Sequence, residues 1–210
     1  METTRTILIG GGQHAQVVLD CLLASGVDVV AIFDPARKGS LFGVTHHGEY
    51  DAAFDPDALA IVAIGDNRTR KRASERVNHG FTNAIHHSVL LSPSVTLGVG
   101  NMILHGTIIQ ALARLGNHII VNTGAQIDHD CVVGDFAHIA PRAALCGSVT
   151  VGEGTMIGAG ATITPGVNIG KWAIIGAGAV IIEDVPDHAV VVGNPGRIIK
   201  YTTSTALSDV

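Results

Sequence analysis

Residues 126–131 read Gln-Ile-Asp-His-Asp-Cys and set one imidazole, His129, between two carboxylates. An imidazole with a pKa of about 6.5 can take and return a proton at neutral pH. A carboxylate beside it fixes the tautomer and favours the protonated ring. His129 stands two residues after an aliphatic expected to point inward, so its own side chain is expected to face outward. Gly147 follows eighteen residues later. If residues at that separation stack, Gly147 leaves the space over the imidazole free and offers a main-chain N–H near a reacting carbonyl. A base beside an oxyanion donor suits acyl transfer.

The element that must bring residues 129 and 147 together is visible as a repeat. An Ile, Leu or Val recurs at every sixth position from Ile85 to Ile181 without a miss. That period matches neither the helical repeat of about 3.6 nor the strand repeat of about 2. It is the signature of a β-solenoid whose hexapeptides are each one short strand and one turn. Three hexapeptides close a triangular coil, so residues eighteen apart stack, with coils about 4.8 Å apart. The aliphatics fill the prism. Four residues after them come small or β-branched side chains such as Ala125, Cys131, Ala137, Ala143, Val149 and Thr155, which fit tight corners. Gly134, Gly152, Gly158, Gly170 and Gly176 directly follow an aliphatic, and positive φ is expected there. The unbroken phase leaves no long loop between residues 85 and 181. Pocket walls must therefore come from the N-terminal region or from a neighbouring subunit.

Residues 1–86 read as a βαβ unit with a parallel sheet. Strands are expected at 6–9, 27–33 and 59–64, with a helix from about 14 to 25 and a second helix carrying Arg68, Arg70, Lys71 and Arg72. Asn67 is the expected N-cap of that second helix. Gly10-x-Gly12-x-x-Ala15 is a relaxed dinucleotide fingerprint, but the unit is too short for the second half of a Rossmann domain. The turn reads better as a place where main-chain N–H groups meet another phosphate or sugar at a helix N-terminus, or as a tight turn alone. His46, His47, His79 and His188 fall in loop-like sequence, and His86 and His87 at the domain junction.

Composition narrows the partners. Charged residues are 15% of the 210, which suits much buried or subunit-facing surface. Net charge is −5 and the basic residues form no stripe, so nucleic acid is not an expected partner. No apolar stretch reaches the roughly 20 residues of a membrane span, and the N-terminus lacks a signal peptide's features. Three cysteines argue against a disulfide framework and for a cytoplasmic protein. The polar tail after Tyr201 is expected to be loose.

The repeat resembles the bacterial hexapeptide-repeat acyltransferases, whose prism is a left-handed parallel β-helix. Residues 129–141, then Gly147, then Gly193-Asn194-Pro195, resemble the sugar O/N-acetyltransferases that include sialic acid O-acetyltransferases and bacillosamine- and perosamine-type N-acetyltransferases. The likeness extends to the Ile-Gly-Gly-Gly-Gln-His run and to Ile64-Gly65-Asp66-Asn67. It implies domains at 1–86 (nucleotide-sugar binding), 87–185 (β-helix) and 186–210 (a coenzyme-contacting segment and tail). His129 is then the general base, Asp130 raises its basicity, and Gly147 holds the thioester carbonyl. Acetyl-CoA is the implied co-substrate, along a groove between adjacent prisms of a homotrimer, touching His138, Ala159 and Ala177, with Asn194 and Pro195 near its end. Gly12, Gln13, His14, Asp34, Pro35 and Gly65 match positions that hold a nucleotide-linked sugar. Gly196 departs from the family's usual Ala, which bears on the terminal coenzyme contact.

The expected reaction is direct N-acetylation of a nucleotide-linked 4-amino-4,6-dideoxy sugar, of perosamine or bacillosamine type. O-acetylation of sialic acid or another sugar hydroxyl is the alternative, because the same base serves either acceptor. Covalent catalysis would call on Cys146, since Cys131 falls in an interior slot. Zinc chemistry of the kind seen in prism-fold carbonic anhydrases is not expected. Position 134, five after His129, is Gly, and His105, His118 and His138 do not supply the spacing. A scaffold without catalysis has no use for the His129–Asp130 pair or its overlying glycine.

Overall fold

The computed structural model describes residues 5–202. At the N-terminus β1 (Arg5–Ile9), β2 (Asp28–Phe33) and β5 (Leu59–Val62) run parallel, with α1 (Gln13–Ala24) linking the first two. A short antiparallel pair, β3 (Ser40–Leu41) and β4 (Val44–His47), extends the sheet to the order β3-β4-β2-β1-β5. His46 and His47 therefore lie in a strand, paired with Ile32 and Phe33, and not in a loop. Val44-Thr-His-His is too short and too polar to show an alternating pattern. The second helix, α2 (Asn67–Ser74), is capped by Asp66, whose carboxylate accepts the Thr69 N–H at 2.8 Å. Asn67 is thus the first helical residue and not the N-cap.

From Ala84 the chain winds as a parallel β-helix of seventeen two-residue strands, numbered in order from β6 (Ala84–Ile85) to β22 (Val180–Ile181). Each ends on one of the repeating aliphatics, and the first precedes the boundary placed at residue 86. Pairing is in register at eighteen residues: Ile109 with Ile127, Val133 with Val151, Ile139 with Ile157. Three faces result. The first stacks every third strand from β6 to β21, then β23 (Ala189–Val192) and β24 (Arg197–Tyr201). The second runs from β7 to β22 and the third from β8 to β20. Aliphatics and small corner residues form one continuous core, with Ala125, Ile127, Cys131 and Ala137 fully buried.

Positive φ does not fall where the glycines led us to expect it. It recurs two residues later, at Gly124, Asp130, Phe136, Arg142, Ser148, Gly154 and Gly160. Gly134, Gly152, Gly158, Gly170 and Gly176 are glycine for want of space. A Cβ on Gly134 would lie 2.8 Å from Glu153 N in the next coil, and one on Gly152 would lie 2.6 Å from Lys171 N. Strand spacing leaves no room for a side chain pointing along the prism axis.

The N-terminal unit packs on the first face. Val18, Leu19 and Leu22 of α1 share one cluster with Met102, Leu104 and Ile120 of the prism. This is why the outward slots at 84, 102 and 120 are apolar: the helix removes them from water.

Candidate active site

His129 and Asp130 stand at the corner between the second and third faces, in the segment joining β13 (Gln126–Ile127) to β14 (Val132–Val133). The imidazole faces outward, with 58% of its side chain exposed. Its Nδ1 lies 2.8 Å from Asp130 Oδ2. The proton therefore belongs on Nδ1, which leaves Nε2 as an acceptor. Asp130 takes φ 59, the left-handed corner conformation. Asp128 Oδ1 accepts the His129 N–H at 2.7 Å and fixes the backbone from the other side. The hydrogen bond to Asp130, followed by the Asp128 charge, holds the pKa of His129 above its ordinary value.

One coil further on, Gly147 lies against the ring. A Cβ there would be 2.6 Å from both Cε1 and Nε2 of His129, so any other residue would displace the imidazole. Among the described residues no carbonyl or carboxylate takes the Gly147 N–H. Cys146, Gly147 and Pro165 line a recess beside the ring. Cys131 is buried, its thiol pushed up by that burial and donating to Cys146 O at 3.1 Å. This is a packed thiol and not an activated one.

The residues expected to hold an acceptor gather on the first-face side. Gly11 N–H donates to Asp34 Oδ2 at 2.6 Å, and Asp34 Oδ1 takes the Ala36 N–H at 2.8 Å. Asp34, with Pro35 after it, thus ties the glycine turn to the end of β2. Gly12 caps α1 without a side-chain hydrogen bond and has open space where a Cβ would stand. The N–H groups at that helix end favour an anion. Gln13 is exposed in the first turn. His14 packs over Gly65, where a Cβ would be 3.6 Å from its own Cβ. The His14 ring centroid is 6.3 Å from that of His138. Burial, then the Arg70 charge, lowers His14 to about 4 and His138 to about 3. Both are neutral at pH 7. Asn122 Nδ2 lies 3.1 Å from His138 Nε2.

His138, expected at the coenzyme, therefore stands beside His14 on the first face. Ala159 and Ala177 stack one coil apart at the corner between the first and second faces, where the Gly178 N–H donates to Ala159 O at 2.9 Å. Asn194 and Pro195 occupy the turn between β23 and β24. None of these shares a corner with His129. Asn122 carries no signal in the sequence, and Asn67 and Arg70 stand out there only as an N-cap and as one of four basic residues of a helix. Asn67 and Arg70, three apart, lie on one helix face, but nothing in a run of basic residues marks that face as buried.

Residues 5–77 match the PglD N-terminal domain family, and residues 148–183 the bacterial transferase hexapeptide family (six repeats). PerB from Caulobacter crescentus, solved with CoA and GDP-perosamine, is 41% identical, with 93% of this chain and 97% of that one covered at a TM-score of 0.88. The acetyltransferase domain of PglB from Neisseria gonorrhoeae is 33% identical, with 93% and 99% covered and a TM-score of 0.89. UDP-N-acetylbacillosamine N-acetyltransferase of Bacillus subtilis is 39% identical over 103 residues. That stretch is 44% of this chain and 48% of the relative, so the chain spans about half the length of this relative. The chain belongs to the hexapeptide-repeat sugar O/N-acetyltransferase family of the bacillosamine and perosamine type. Its fold is that family's, a Rossmann-like N-terminal sheet followed by a left-handed parallel β-helix.

Proposed function

We propose that this protein transfers the acetyl group of acetyl-CoA to the amine of a nucleotide-linked 4-amino-4,6-dideoxy sugar, with His129 as general base. One observation carries the reading: an imidazole whose Nδ1 is held by Asp130 lies directly against Gly147, with its Nε2 open to the recess. The amine nitrogen bonds to the thioester carbonyl carbon, and its proton passes to Nε2. The Gly147 N–H stabilises the negative oxygen that results. Collapse breaks the C–S bond, and the departing thiolate takes the proton back from the imidazole. The uncapped end of α1 would hold the diphosphate, with His14, Gly65 and Asp34 around the nucleotide-sugar. The three free thiols suit the cytoplasm. Among the described residues no helix is long and apolar enough to cross a membrane.

A homotrimer completes the site. In one chain the acceptor turn sits on the first face, while His129 sits at the opposite corner. A threefold axis brings the first–second corner of one copy against the second–third corner of the next. The second face then lines the axis, and its outward residues Leu90, Ile108, Gln126, Ala144, Thr162 and Val180 carry no charge. Ala159 and Ala177 of one prism would face the neighbouring His129 across the groove, in the path of acetyl-CoA.

The test is a panel of GDP- and UDP-linked 4-amino-4,6-dideoxy sugars and free sialic acid, each with acetyl-CoA, following thiol release. Turnover on one nucleotide amino-sugar and none on sialic acid is expected. The reverse pattern would assign an O-acetyltransferase.

A further inference from the structure

We propose that Arg70 is the positioning residue of the acceptor site, locking the Gly65 turn to successive coils of the prism. The inference rests on the nucleotide-sugar reading above. Arg70 is fully buried in α2. Its Nε donates to His118 O at 2.8 Å, and its Nη2 to Phe136 O and Asn67 Oδ1, each at 2.8 Å. On the other side, Nη1 donates to Ile64 O at 3.0 Å and Gly65 O at 3.2 Å. Asn67 Nδ2 adds a bond to Gly154 O at 3.0 Å. His118, Phe136 and Gly154 are eighteen apart and all take positive φ at the corner between the third and first faces. One guanidinium and one amide thus grip three consecutive coils, and the same guanidinium holds the turn that packs on His14.

The planar fork of arginine explains the choice of residue. No carboxylate neutralises it among these contacts, and burial lowers its pKa to about 10, so it stays charged at pH 7. An ammonium has one centre and cannot reach carbonyls on both sides. Arg68, 4.3 Å from the Trp172 ring centroid, and Lys71, 2.6 Å from Glu153, also fasten α2 to the prism, but neither reaches the turn. Burial, with the Arg70 charge second, keeps His14 and His138 neutral. Each neutral imidazole carries one donor and one acceptor nitrogen, and the acceptor Nε2 of His138 faces the Asn122 amide.

The experiment compares wild type with Arg70→Lys and Arg70→Gln by calorimetry with GDP, UDP and CoA, and by steady-state kinetics. The Kd for the diphosphate that wild type binds, and the KM for the matching amino-sugar, are expected to rise roughly tenfold to a hundredfold, as for a remotely displaced binding group. The Kd for CoA stays unchanged, and Lys does not rescue. A merely structural role would lower Tm and the active fraction while leaving both acceptor constants in place. Should the Arg70 variants not fold, Asn67→Ala removes the Gly154 tie and one Arg70 partner, and shows the same split at smaller amplitude. Unchanged diphosphate affinity in a folded Arg70 variant, or in Asn67→Ala, overturns the proposal. A wild-type protein that binds neither diphosphate overturns the acceptor reading and this proposal with it.

Discussion

At the scale of single residues, a histidine beside a carboxylate is an ordinary surface pair. What sets His129 apart is the glycine one coil away, whose missing side chain leaves the ring its place. This juxtaposition was legible because one coil is eighteen residues, so a spatial neighbour becomes a fixed offset in sequence. Arg70 was not legible, because all its partners but the Asn67 side chain are main-chain carbonyls, which every residue has. The His129–Asp130 bond has a kinetic consequence. The base works only when neutral, so kcat/KM rises with pH through its raised pKa. Asp130→Asn removes the largest cause of that rise. The acid limb should move to lower pH, toward about 6.5, and maximal turnover should fall as the tautomer is freed. A limb that stays in place in a pH–rate profile would show that Asp130 does not act on the base.

At the scale of elements, the hexapeptide period yielded strands, register and core, since burying one aliphatic per rung is what holds a coil closed. It did not reveal why a given corner position is glycine. A sequence records that a side chain is missing, and the cause can be φ or space. Gly160 has φ 66 and open surroundings, whereas a Cβ on Gly152 would meet the next coil's backbone. Gly160→Ala should therefore cost about 1 kcal/mol of stability, from the left-handed conformation alone. Gly152→Ala should cost more, about 3 kcal/mol, because backbone must move. Denaturant unfolding of the two variants measures the order, and a larger loss at Gly160 would refute the spatial argument. The β3–β4 pair escaped notice for a different reason: two- and four-residue strands are too short to carry a period.

At the scale of the molecule, the glycine turn before α1 lies on the side of the first face and His129 at the opposite corner of one prism, which no pattern within a single repeat could reveal. Ala144, outward on the second face, should stand at the threefold axis. Ala144→Arg is expected to leave the circular dichroism of the fold intact, to sediment as a monomer and to lose turnover. A variant that remains trimeric and active would place the interface elsewhere. The chemistry itself is tested most directly by the turnover of His129→Ala with saturating acetyl-CoA and the preferred nucleotide amino-sugar. Loss of a positioned base should lower kcat on the order of 10² to 10⁴ with CoA binding retained. Acetyl transfer at close to the wild-type rate would contradict the assignment of His129 as the base.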